Sequence, residues 1–405
     1  MMKKNRFYII LILLLDVFMY SCNEERIGQF PIESTAPQEL IDPFVENLKG
    51  GATIHYTLPG DADLLYVKAT YTLPSGEVKI QKTSAFSSSI TIKGFSRSGK
   101  SIVELRCVDR SQNESEPIFV EIEPKDSPIF DIYNSFSVEP AFGGIKVSWE
   151  NTESEEVLID VLKKDNENNW SSIEKLYTSI TKGIGFVRNQ EAVESSFGVY
   201  VRDTYGNRTD TLYVTEVPFE EQILDKALWK EMRLCPGIEM NIWGAKSMNV
   251  LWNGITNEGT AYYLNDSQNG LNSFFTIDLG VKAQLSRFKF WGRSGWYFNL
   301  HHPKEFEIWG TNDPIVANSD PCSWNGWTLL TTGVSEKPSG PDPLAADKLS
   351  TEDKALAALG EEFEFSEEAP PVRYIRFKKV KTWTNSPNVF LAELSFWGKP
   401  LNENQ

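Results

Sequence analysis

Residues able to do reactive chemistry are scarce in this chain, and aromatic residues are crowded. The 405 residues include three histidines (His55, His301 and His302) and four cysteines. There is no Gly-x-Ser-x-Gly elbow, His-Glu-x-x-His pair or phosphate-binding loop. Adjacent strand residues point to opposite faces, so His301 and His302 do not make a metal pair by themselves. A glycosidase needs only two carboxylates, yet no paired-acid context stands out among the fifty-six Asp and Glu. Ten of the twelve tryptophans lie in residues 223–405. One stretch there reads Trp291-Gly-Arg293-Ser-Gly-Trp296-Tyr297-Phe298-Asn299-Leu-His301-His302, and another reads Trp383-Thr384-Asn385. Flat rings beside Arg, Asn and His suit a ligand with an apolar face and a rim of hydrogen-bonding groups. The candidate ligand residues are Trp291, Arg293, Trp296, Tyr297, Asn299, His301, Trp383 and Asn385. The reading is binding, with no catalytic residue assigned.

Strands must hold these loops. Phe275/Ile277/Leu279, Phe288/Phe290, Phe306/Ile308, Tyr374/Ile375/Phe377 and Leu394/Phe396 follow the strand alternation. Their spacing fits a jelly-roll sandwich. Upstream the chain repeats itself. Gly50-Gly51 opens one alternating strand and Gly143-Gly144 opens another, 93 residues on. Val103/Leu105/Cys107 followed by Asp109 and Asn113 recurs 94 residues later as Phe197/Val199/Val201 followed by Asp203 and Asn207. Each copy reads as a β-sandwich, with Tyr56 and Trp149 as core aromatics. The fold class is all-β: two sandwiches and then a third. Ile223, Leu224, Ala227 and Leu228 recur at helical spacing, which predicts a short connecting helix. Ser350 with Asp353 three residues on, and Gly360 after an Ala/Leu run, predict a short surface helix inside the segment 333–364.

The N-terminus is an address. Lys3, Lys4 and Arg6 precede the apolar run Phe7 to Leu15, too short to span a bilayer and of signal-peptide form. Ser21-Cys22 resembles a bacterial lipobox, which implies cleavage after residue 21 and acylation of Cys22. The following Asn23-Glu24-Glu25 resembles the acidic surface-export tag of Bacteroidetes lipoproteins. The formal charge of −16 argues against nucleic acid as a partner. Of the remaining cysteines, Cys107 reads as a buried small hydrophobe, and pairing of Cys235 with Cys322 is left open.

The third region resembles the discoidin, or coagulation-factor-5/8 type C, family. The resemblance rests on Leu251-Trp252-Asn253-Gly254 with Thr260, Phe275-Thr276-Ile277-Asp278-Leu279-Gly280 and Lys304 to Asp313. Trp327-Thr328-Leu329, Val372 to Phe377 and Ala392 to Gly398 continue it in the family's order. It implies ligand loops at one end of the sandwich, with a stacking aromatic near Trp383. It also implies a structural Ca²⁺ at Asn253, Thr260 and Glu393, although Asn253 in place of the usual Asp removes one carboxylate. No cofactor is otherwise required. The upstream repeats resemble fibronectin type III modules. The expected domains are a signal peptide at 1–21, sandwich repeats at 22–126 and 127–218, and a discoidin-like domain at 219–400. The whole resembles Bacteroidetes surface lipoproteins that accompany outer-membrane glycan importers. That implies glycan capture on the outer membrane, held there by a lipid anchor and beside an importer. The alternative is an adhesin or accessory subunit docking on a transporter.

Overall fold

The structure is a computed structural model describing residues 34–235, 239–240, 247–257, 274–315, 320 and 322–401. The signal segment 1–21, Cys22 and Thr260 lie outside the described residues. No described helix is long and apolar enough to cross a membrane.

The two repeats share one topology. The first comprises β1 (Ile41–Leu48), β2 (Gly51–Thr57), β3 (Leu64–Thr72), β4 (Val78–Ser84), β5 (Ser89–Lys93), β6 (Ser101–Asp109) and β7 (Ile118–Ile122). It forms sheets β1-β2-β5 and β4-β3-β6-β7. The second begins with α1 (Pro128–Asn134). It continues with β8 (Ser137–Ala141), β9 (Gly144–Glu150), β10 (Val157–Lys164), β11 (Trp170–Thr178), β12 (Lys182–Val187), β13 (Ser195–Asp203) and β14 (Leu212–Glu216). Its sheets, β8-β9-β12 and β11-β10-β13-β14, reproduce the first order strand for strand.

The repeated motifs have physical causes. Gly50 and Gly143 take φ of +67° and +65°, the left-handed region that glycine enters without strain. A Cβ on Gly51 would lie 2.1 Å from the Ile92 carbonyl oxygen, and one on Gly144 would lie 1.7 Å from that of Val187. The neighbouring strand therefore excludes any side chain there. Asp109 closes its turn by accepting from the Asn113 backbone and side-chain N–H groups, and Asp203 does the same with Asn207, all at 2.8–2.9 Å. Tyr56 and Trp149 are buried in their respective cores, as the alternation predicts.

The third group comprises β15 (Gln222–Ile223), β16 (Lys230–Met232), β17 (Phe274–Trp291), β18 (Pro303–Thr311), β19 (Thr328–Val334), α2 (Thr351–Leu359), β20 (Glu361–Glu364), β21 (Val372–Thr382) and β22 (Glu393–Pro400). β17 is long enough to serve two layers. Its first half, Phe274 to Asp278, pairs with β16 and β21; its second half pairs with β22 and β20. The bend lies at Gly280, φ +75°, where a Cβ would strike Leu228 at 2.6 Å. Between the layers Phe275, Phe288, Phe290, Phe306, Phe377 and Phe396 form one core.

The connecting helix expected around 223–228 is not formed. A single 3₁₀ turn, Lys226–Leu228, stands between two short strands. Ile223 pairs with Trp397, and the Leu224 N–H donates to the Phe396 carbonyl at 2.9 Å, so the sheet edge takes the backbone groups a helix would need.

The second and third sandwiches meet on a buried ion cluster. Glu221 accepts from Ser286 Oγ at 2.6 Å and from Arg287 Nη2 at 3.0 Å, and Arg188 Nη1 lies 3.8 Å away. Arg188 also bonds Glu364, and Arg287 bonds Glu362. Removing Glu221 leaves the largely buried Arg188 and Arg287 guanidiniums short of a counter-charge. We expect Glu221→Ala to lower stability by about 3 kcal/mol. The neighbouring exposed pair Glu220–Lys399, at 3.8 Å, should contribute under about 1 kcal/mol. Urea unfolding midpoints of Glu221→Ala and Glu220→Ala compare these directly.

Candidate ligand-binding rim

Two loops interlock at one end of the third sandwich. The loop 292–302 follows β17, and the loop 383–392 leads into β22. The Phe390 N–H donates to the His301 carbonyl at 2.8 Å, and the Ala392 N–H donates to that of Trp291 at 2.8 Å. Thr384 Oγ1 donates to the Leu300 carbonyl at 3.0 Å. The His301 ring bonds Ser386 Oγ through Nδ1 and stands edge-on to Phe390, centroids 4.4 Å apart. Backbone strain concentrates here. Phe298, Leu300 and Asn385 have φ of +51°, +41° and +58°. Bulky residues rarely adopt this region, and each such residue costs of order 1–3 kcal/mol. Phe298 is held there because its fully buried ring packs on Trp383 and His302.

The rim sorts the expected ligand residues into two sets. Trp296 is 39% exposed, with the Arg293 guanidinium 5.8 Å from its ring centroid and 4.8 Å from that of Phe390. Asn385 and Thr384 are exposed in the loop that His301 grips. Asn299 is half-buried, its Oδ1 accepting from the Leu300 N–H at 2.7 Å. Trp383, by contrast, is only 5% exposed, so it does not present a stacking face. Its Nε1–H donates to Ser335 Oγ at 3.1 Å, and Lys304 Nζ sits 4.3 Å over its ring. Tyr297 packs on the same small cluster with Phe298, Leu349 and Ala357. Trp291 donates to the Ala358 carbonyl at 3.2 Å and lies against Gly360.

What turns these rings inward is the segment 333–364. Ser350 and Asp353 cap α2 reciprocally, and Gly360 ends it at φ +81°. Asp353 is fully buried and accepts from Ser339 and Ser350. Burial works to raise its carboxyl, and those donors outweigh it, holding it below the usual range. His302, 1% exposed, pairs with Glu361 at 2.7 Å. The expected surface helix is present, and it doubles as a buttress for the rim.

Four of the other tryptophans are accounted for by packing. Trp229 and Trp252 belong with the main core. Trp324 and Trp327, with Phe274, surround the fully buried Arg376 guanidinium at 4.1–5.1 Å. Trp243 lies outside the described residues. The Cys235 and Cys322 thiols are free neighbours; burial and a hydrogen bond to Cys322 push the Cys235 thiol up.

The described donors for a structural Ca²⁺ do not fit one. Glu393 is 1% exposed; its Oε1 bonds the Lys226 ammonium and its Oε2 accepts from the Gly254 N–H at 3.0 Å. Asn253 Oδ1 accepts from the Ile255 N–H at 2.8 Å. A lysine cation thus stands against the carboxylate, and no group of three or more His, Cys, Asp or Glu able to hold a metal occurs among the described residues.

Sequence reasoning missed Lys379, which lies beneath the rim. It is fully buried and its ammonium donates to the Pro387 carbonyl. Burial lowers its pKa to about 8. Burial, then the Arg293 and Lys379 charges, also holds His301 below its ordinary value, so the rim presents it neutral.

Three domain families, each described only as a domain of unknown function, match the chain in sequence. DUF4959 matches residues 37–124, DUF5126 matches 125–227, and DUF5000 matches 252–398. Among solved structures, a SusE-like protein is 32% identical; the match covers 67% of this chain and 98% of that one, with a TM-score of 0.42. The C-terminal domain of a chitobiase from Bacteroides fragilis matches at 13% identity, covering 45% and 100%, with a TM-score of 0.31. A two-domain fibronectin type III segment of chicken tenascin matches at 14% identity, covering 44% and 98%, with a TM-score of 0.22. No curated protein matches. Fold and rim define an all-β modular protein with an aromatic loop surface on its last sandwich. On the identity shared over nearly the whole of that relative, the chain belongs to the SusE-like family.

Lys379 yields a pH prediction. Its pKa of about 8 in the folded state lies below the ~10.4 of an unfolded lysine, so between these values the unfolded chain binds more protons. Stability contributed by this site therefore rises from about pH 8 to about pH 10, and below that range the penalty is constant. Urea midpoints at about pH 7 and about pH 9.5 should show a gain in the wild type that Lys379→Met lacks.

Proposed function

We propose that this chain is a non-catalytic surface lipoprotein of the outer membrane, acylated at Cys22, that binds a polysaccharide or oligosaccharide for a glycan-uptake system. The observation that carries the binding reading is the rim. The Arg293 guanidinium lies by the exposed Trp296 ring and by Phe390 of the loop that carries the exposed Thr384 and Asn385, on a strained and well-supported backbone. Rings of this kind cover the apolar face of a pyranose, and the flanking groups read its hydroxyls. Membership of the SusE-like family, together with the lipobox-like Ser21-Cys22 and the acidic residues after it, supports the surface location and an importer as partner. The first two sandwiches then space the rim from the membrane. A discoidin-like assignment of the third sandwich rests on the order of its sequence blocks.

Affinity electrophoresis of residues 22–405 in gels containing plant, host and microbial polysaccharides tests this reading. At least one gel should retard the wild type. Trp296→Ala should weaken that retardation by about 1–3 kcal/mol in binding free energy, the range for loss of one stacking ring. Retardation by no gel, with capture by an outer-membrane protein instead, would replace glycan binding with docking.

A further inference from the structure

A second aromatic surface lies on the second sandwich, away from the rim. β10 sends Val157, Ile159 and Val161 into the core, so Leu158 faces outward. Leu158 stands directly opposite Tyr177 on β11 and directly opposite Arg202 on β13. Directly paired residues share a face, so Tyr177, Leu158 and Arg202 form one row across three strands. Tyr177 is 77% exposed while Leu158 between them is 7% exposed. The row opens into a groove of about 820 Å³, whose walls include Glu156, Thr178, Ser179, Thr204 and Tyr205. That volume is within the range of small-molecule sites.

We infer that this groove is a second oligosaccharide-binding site, with Tyr177 as its stacking ring and Arg202 and Glu156 as hydroxyl readers. The inference rests on the glycan-binding reading given above. The occupant follows from the lining. A solvent-facing ring beside an apolar floor suits the C–H face of a sugar, and Thr178, Ser179 and Thr204 add hydroxyls at its edge. Charge is nearly balanced. The lining carries Glu156, Asp203 and Arg202, one negative charge in excess, and the Tyr205 and Asn207 backbone N–H groups and the Asn207 amide occupy the Asp203 oxygens, which leaves Arg202 and Glu156 to meet a ligand. Such a lining favours an uncharged sugar. The same face continues beyond the groove. The next outward row is Lys175, Asp160 and Tyr200, in which Asp160 accepts from Tyr200 Oη at 2.7 Å and Ser172 Oγ at 2.6 Å. Further along, the Trp170 and Tyr213 rings lie 4.8 Å apart. A chain longer than the groove therefore meets more aromatic surface.

The test is affinity electrophoresis of residues 22–405 in gels of neutral polysaccharides, comparing wild type, Tyr177→Ala, Tyr177→Phe and Trp296→Ala. Tyr177 is exposed, so its truncation leaves the core untouched. Retardation weakened about five- to 150-fold by Tyr177→Ala, and retained by Tyr177→Phe, is the expected result. Tyr177→Ala behaving as wild type while Trp296→Ala weakens binding overturns the second site alone, and a face that serves a protein partner gives this pattern. A wild type retarded by no gel overturns both sites together.

Discussion

Alternation along the strands decides which rings of this protein can meet a ligand. Each strand sends every second side chain to one face. In the repeats that parity places Tyr56, Trp149 and Phe197 inside, and it leaves Tyr177 and Tyr213 outside with no core to enter. The same rule acts in the third sandwich, where Phe275, Phe288, Phe306 and Phe377 fill the space between the layers. Only where strands end is a ring released from it. Trp296 sits in such a place, at a Gly295 turn with φ +78°.

A rim made of loops must be rigid to bind well, because ordering a loose loop opposes association. Here the stiffness comes from the segment between β19 and β20. Its helix caps itself through Ser350 and Asp353 and then packs over Phe298, Tyr297 and Trp383. Trp383 and Phe298 are buried by it while Tyr297 stays half-buried, and this packing holds Phe298 in a strained backbone two residues from Trp296. At the opposite junction Glu221, Arg188 and Arg287 join the second and third sandwiches through buried charge, which is directional and resists sliding.

Much of this was legible in the sequence wherever its cause is local. Gly-Gly pairs, Asp…Asn turns and the Ser350 cap each draw on neighbours a few residues away, and each appears where the pattern puts it. The burial of Trp383 depends on Ser335 and Lys304, far away in sequence, so a loop position that suggested exposure is overridden. Lys226 reaching Glu393 across 167 residues is equally invisible to spacing. The helical period at 223–228 was misleading because the edge of β22 offers those backbone groups a partner. Tyr177 carried a signal, since an inward Val157/Ile159/Val161 implies an outward Leu158. Which strands flank Leu158 is a matter of topology, and only that places Tyr177 and Arg202 at its sides.

On the proposed glycan reading, sugars are met by rings on exposed faces and loops, and not by the buried tryptophans. Hydroxyl-radical footprinting of the full mature chain, with and without a polysaccharide that it binds, addresses this directly. The account predicts protection at Trp296 and at Tyr177, with Trp383 and Trp149 unreactive in both states. Protection confined to the first sandwich, or none at either exposed ring, would contradict it.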